Sequence, residues 1–188
     1  MTDWIAEIDD AAGRIKGYVR RTAVTRLNLS GLDRPIEVKL EFTQHTGSFK
    51  ARGAFNTLLS GGVPEGGVVA ASGGNHGAAV AYAAARLGIP ARIFVPEMAG
   101  PSKIALIERT GADLTVVPGS YADALAAALD YEAATGAMQV HAYDAPGMVA
   151  GQGTCLREWE DQGLEADTVL IAVGGGGLIG GAIAWAGQ

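Results

Sequence analysis

Three short segments of this sequence carry residue types suited to chemistry on a small anionic molecule. The first is Thr46-Gly47-Ser48-Phe49-Lys50-Ala51-Arg52-Gly53, where a helix is predicted to start at Gly47 and Ser48 with Lys50 in its first turn. A cation at a helix N-terminus opposes the macrodipole, which favours the neutral amine. Schiff-base chemistry needs that neutral form, and a lysine of reference pKa near 10.4 scarcely populates it at neutral pH. A surface lysine beside Arg52 would account for the same residues.

The second segment, Ala71-Ser72-Gly73-Gly74-Asn75-His76-Gly77, lies between a predicted strand and a predicted helix. Its glycines free the backbone to wrap a ligand, and the helix start offers unpaired N–H groups to an anion. Asn75 could donate to a phenolic or carboxylate oxygen. A plain strand-to-helix turn, with His76 satisfying local hydrogen bonds, is the competing reading. The third segment, Gly174-Gly175-Gly176-Gly177-Leu178-Ile179-Gly180-Gly181, follows an apolar run and would form a nest of N–H groups for a phosphate. Gly175, Gly177 and Gly180 also satisfy G-x-G-x-x-G, so dinucleotide binding stands as a rival. No G-x-x-x-x-G-K-[ST] is present.

The elements that must position these segments alternate. Strands are predicted at Val68 to Ser72, Ala91 to Val95, Asp113 to Val117 and Gln139 to Ala142. Between them lie helices from Gly77 to Leu87, from Pro101 to before Gly111, and from the Ser120 cap to about Thr135. Gly88, Gly111 and Gly136 follow those helices, as C-caps do. Strand–helix alternation implies a parallel sheet with helical cover, so 67–143 reads as one compact α/β unit. The flanks, 1–66 and 144–188, contribute helices at Trp4 to Arg20, Phe49 to Ser60 and Ala150 to Gln162. They also contribute strands at Ile36 to Leu40 and Thr168 to Val173. Too small to stand alone, they are expected to pair into a second domain bracketing the first.

Composition narrows the class. Of 188 residues, 48% are hydrophobic and 18% charged, and alanine and glycine together make a third of the chain. That supports a packed core with close backbone approaches and excludes a disordered chain. A net charge of −6 argues against a nucleic-acid groove. The single cysteine, Cys155, excludes an intrachain disulfide framework and points to the reducing cytoplasm. The acidic N-terminus does not read as a signal or transit peptide. Thr168 to Gly187 is uncharged and long enough to span a bilayer, but its seven glycines favour strand, loop and helix start over a membrane segment. The last helix (Leu178, Ile179, Ile183, Trp185) is so apolar that it needs cover. A chain cut short at its C-terminus is therefore predicted.

Lys39-Leu40-Glu41, Gln44 to Ala54, Ser72 to Gly77 and Gly174 to Leu178, taken in this order, resemble the fold-type II pyridoxal-phosphate enzymes. His141-Ala142-Tyr143-Asp144 and Ala150-Gly151-Gln152-Gly153-Thr154 extend the likeness over nearly the whole chain. The resemblance is closest to the serine/threonine dehydratase and serine racemase branch. It implies an α/β fold of the tryptophan synthase β-like kind, with two three-layer αβα domains. On that reading 1–66 and 144–188 form a large cofactor-anchoring domain, incomplete here, and 67–143 a small substrate-clasping one.

The resemblance also implies residue roles. Lys50 would form the Schiff base with pyridoxal 5′-phosphate, Phe49 would pack against its ring, and Asn75 would hydrogen-bond its phenolic oxygen. Gly174, Gly175, Gly176, Gly177 and Leu178 would receive the phosphate. Ser72, Gly73, Gly74, Asn75 and His76 would clasp the substrate carboxylate. Lys50 would be the general base, and loss of a β-hydroxyl from L-threonine or L-serine would end in a 2-oxo acid and ammonia.

Within the family, Asn75-His76-Gly77 departs from the Asn-Thr-Gly of cysteine synthases, and Ala51 from the acidic residue of threonine synthases. Gly73 stands where racemases typically carry a second serine, so elimination is favoured over racemisation. Tyr143 replaces a more usual Phe. Relatives continue past the glycine loop into a part that supplies the Ser or Cys facing the pyridine nitrogen and sometimes a metal site. No metal ligand is assigned here. A homodimer is expected, and serine racemase, another fold-type II lyase or an inactive fragment are the alternatives.

Overall fold

A computed structural model describes residues 2–187. Four parallel strands form its main sheet, in the order β5 (Asp113–Val117), β4 (Ala91–Pro96), β3 (Val68–Ala71), β6 (Met138–Gln139). Every residue of β3 is buried, as a strand covered on both faces requires. Val68 and Ala70 face α3 (Asn75–Leu87) and Ile107 of α4 (Pro101–Glu108). Val69 and Ala71 face Ala124 and Ala128 of α5 (Tyr121–Thr135) on the other side.

Local chemistry marks the boundaries. Ser120 and Asp123 form a capping box at the start of α5, Pro101 opens α4, and Gly88 and Gly136 close α3 and α5 in the left-handed conformation.

The flanking segments supply α1 (Trp4–Ile15), α2 (Lys50–Leu59), α6 (Pro146–Glu160) and α7 (Gly177–Ala186). They also supply an antiparallel pair, β1 (Val24–Leu27) and β2 (Ile36–Lys39). No strand is predicted at β1 from the sequence, because its pairing with β2 is what defines it. Ala51, Phe55 and Leu58 of α2 share one core cluster with α3, so the flanks and the sheet unit are not separately packed.

The predicted strand Thr168 to Val173 is not formed. A strand needs a neighbour for its N–H and C=O groups, and among the described residues this segment has none. Leu170 is 92% exposed, and a cavity of about 430 Å3 lined by Val169, Ile171, Ile179 and Ile183 separates part of it from α7. Among the described residues no helix is long and apolar enough to cross a membrane.

Candidate active site

The chain reaches Lys50 through two 3-10 turns, Glu41–Thr43 and His45–Gly47. Thr46 (φ 61°) and Gly47 (φ 77°) both take left-handed conformations, which turn the backbone just before α2 begins at Lys50. The Lys50 amine is half-buried and donates to the Ala142 carbonyl oxygen at 2.5 Å. It lies 5.4 Å from the centroid of the Phe49 ring. Burial holds its pKa below the ordinary lysine value, so desolvation raises the neutral fraction that the sequence reading attributed to the helix dipole.

Lys50 is therefore not a surface lysine, and neither is Arg52 its exposed companion. Arg52 is 1% exposed and bonds Glu41 through Nε at 2.8 Å and Nη2 at 2.7 Å, and both Glu158 oxygens at 3.0 Å. Lys39 joins the cluster, donating to Glu158 at 2.5 Å and to the Thr22 carbonyl at 2.9 Å. Burial alone would push the Glu158 carboxyl up, but Arg52 and Lys39 outweigh it and hold the group below the usual glutamate range. This cluster pins the first turn of α2, and with it the root of Lys50, to β2 and α6. Sequence reasoning gave it no role. Its only signal was an arginine set among Ala51, Gly53 and Ala54.

At the second segment, Ser72 Oγ accepts from the Gly74 N–H at 3.1 Å, and Gly74 caps α3. The first-turn N–H groups of α3 have no intrahelical acceptor and are free for an anion. Asn75 is exposed, and its Oδ1 accepts from Lys103 Nζ at 2.6 Å. An ammonium can only donate, so the Asn75 amide NH2 is the end left for an acceptor. Lys103 was not foreseen. The His76 ring is 5% exposed and turns to the Val140 carbonyl at 2.8 Å, so only its backbone N–H remains for a carboxylate. Burial pushes its pKa down to about 4, with Lys50 and His141 adding to the effect against the Val140 hydrogen bond.

The glycine loop closes the arrangement. Gly176 takes φ 93° and caps α7, whose first turn points unpaired N–H groups out of Gly177 and Leu178. Tyr143 lies against this loop. A Cβ on Gly175 would run into its ring, and one on Gly177 would sit 3.2 Å from its backbone. All three segments thus meet around Val140 to Tyr143.

Residues 15–187 match the family model described as pyridoxal-phosphate dependent enzyme. The chain belongs to this family. It is 40% identical to an L-threonine ammonia-lyase of Thermotoga maritima, over 94% of its own length and 45% of that protein. It is 35% identical to a phenylserine dehydratase of Ralstonia pickettii, over 94% and 55%. A structure of maize serine racemase superposes with a TM-score of 0.91 at 34% identity, covering 97% of this chain and 56% of that one. The chain spans about half the length of the curated relatives it matches. Family membership displaces the dinucleotide reading of Gly175, Gly177 and Gly180, and the strand that should precede such a motif is the one that does not form.

Proposed function

We propose that this chain is part of a pyridoxal-phosphate-dependent dehydratase that converts a 3-hydroxy amino acid, L-threonine or L-serine, to a 2-oxo acid and ammonia. The residues present suit the cofactor: a half-buried amine with depressed basicity, a free amide NH2 at Asn75, and a helix N-terminus preceded by glycines. Lys50 would hold the cofactor's aldehyde carbon, Phe49 would flank its ring, and Asn75 would donate to its phenolic oxygen. Gly174, Gly175, Gly176, Gly177 and Leu178 would hold its phosphate. When bound, the cofactor supplies an electron sink that makes the substrate α-proton acidic. Lys50 would take that proton as a neutral amine. Ser72, Gly73, Gly74, Asn75 and His76 would hold the substrate carboxylate through backbone N–H groups, in a small domain of residues 67–143. Residues 1–66 and 144–188 would anchor the cofactor. The enzyme would work in the cytoplasm as a homodimer.

The observation that carries elimination over racemisation is the packing at Gly73. A Cβ there would collide with Ala99 and come within 3.2 Å of Val95 Cγ1 and 3.3 Å of Pro96 Cδ. A side chain bearing a second acid or base at position 73 would have to displace Ala99.

The test is an absorption spectrum of the chain with pyridoxal phosphate, beside Lys50→Ala. A Lys50-dependent band at roughly 410–420 nm is expected from this cofactor chemistry. Serine, threonine and phenylserine are then assayed for 2-oxo acid. Release of D-serine without 2-oxo acid would instead favour the racemase reading. A band that persists in Lys50→Ala sinks the lysine assignment.

A further inference from the structure

Val140 to Tyr143 is the stretch where the chain leaves β6 for α6, and it carries one contact to each of the three site segments. The Val140 carbonyl accepts from His76, the Ala142 carbonyl accepts from Lys50, and Tyr143 lies against the glycine loop. Carbonyl oxygens only accept, so His76 must carry its proton on Nε2. Its Nδ1 is buried with no hydrogen-bond partner. A proton there would place a charge in a dry spot without an acceptor, so the ring stays in one neutral tautomer. His76 is thereby a fixed donor at the start of α3, and its acceptor Val140 lies two residues in sequence from Ala142, whose carbonyl receives Lys50.

We infer that His76 is a positioning residue for Lys50: its Nε2–H holds the Val140–Ala142 backbone, which seats the Lys50 amine. The imidazole then acts through the peptide chain rather than on substrate. The same contact links the carboxylate-facing end of α3 to the lysine, so a shift of either moves the other. This inference rests on Lys50 being the cofactor lysine, but the contact itself exists without cofactor.

The test reads Lys50 directly in the full chain without pyridoxal phosphate. The amine is acylated over a range of pH, and its reactivity is followed by peptide mass spectrometry. In His76→Leu the segment loses its anchor and water reaches the amine. Its apparent pKa is then expected to rise toward the ordinary lysine value by about half a unit or more. His76→Gln, which keeps an N–H donor at nearly the same reach, should restore the original profile. Ile107→Ala, a buried change in α4, should lower the melting temperature without moving the Lys50 profile. An unmoved profile in His76→Leu, or no restoration by His76→Gln, overturns the inference.

Should His76→Leu not fold, coupling is read from the other end, since linkage is reciprocal. Lys50→Met should speed exchange of the His76 Nε2–H proton, seen by NMR, and unchanged exchange overturns the inference. Failure of the cofactor reading would show separately, as a missing absorption band in an otherwise normal Lys50 titration.

Discussion

Arg52 stands two residues from Lys50, almost wholly removed from water, between two carboxylates on different elements. Burial works against the charged guanidinium, yet its bonds to Glu41 and Glu158 hold its pKa above the ordinary arginine value. An arginine used this way contributes geometry more than net stability, because desolvation offsets most of the attraction. Removing one partner is another matter, since it leaves the others buried and uncompensated. Arg52→Met is therefore expected to lower unfolding stability by about 3–5 kcal/mol in a urea titration. A loss below about 1 kcal/mol would mean that Glu41 and Glu158 are solvated in practice.

Helices α2, α6 and α7 approach so closely that their contacts are backbone on backbone. A Cβ on Gly151 would come within 2.6 Å of Gly53 Cα and 2.9 Å of the Arg52 carbonyl oxygen. Neither atom can yield without shifting the turn that carries Lys50. Gly151→Ala should then cost about 1–3 kcal/mol by overpacking and weaken the cofactor band. Gly13 in α1 is the control, with nothing within 4 Å of its added Cβ. Gly13→Ala should stabilise the chain by up to about 1 kcal/mol, measured in the same urea series. Equal effects at the two sites would contradict the close packing.

The core cluster joining α2 to α3 makes local protonation a property of the whole molecule. His76 has an ordinary pKa of 6.5 when unfolded and about 4 when folded, so the unfolded state binds its proton first as pH falls. Its contribution is fully present above about pH 6.5 and is lost progressively down to about pH 4, on the order of 3 kcal/mol in all. Glu158, also depressed, adds a loss in the same direction at lower pH. The difference in unfolding free energy between wild type and His76→Gln, measured from pH 7 to pH 4, isolates the histidine. A pH-independent difference would show that the ring is hydrated.

Legibility followed the range of the interaction. Ser120 with Asp123, Pro101, and the glycines after α3 and α5 act within a few residues, so the helices from 67 to 143 and strands β3, β4 and β5 could be read from sequence with boundaries near those observed, whereas β6 shares only Gln139 with the strand expected at Gln139 to Ala142. Order and spacing of Lys50, the Ser72 to Gly77 segment and the tetraglycine run were enough to suggest the family. Arg52 could not be read as buried, because its partner Glu158 lies 106 residues away and nothing local marks the encounter. The 168–173 segment shows the converse. Its apolar residues satisfy the local pattern of a strand, but strand hydrogen bonds are made to another strand, and a neighbouring strand is a fact of the tertiary structure. Residue types and short-range spacing determined which chemistry the chain could support. Tertiary structure decided which charges were dry, which carbonyl received Lys50, and which extended segment found a partner, since each depends on groups that meet only after the chain has folded.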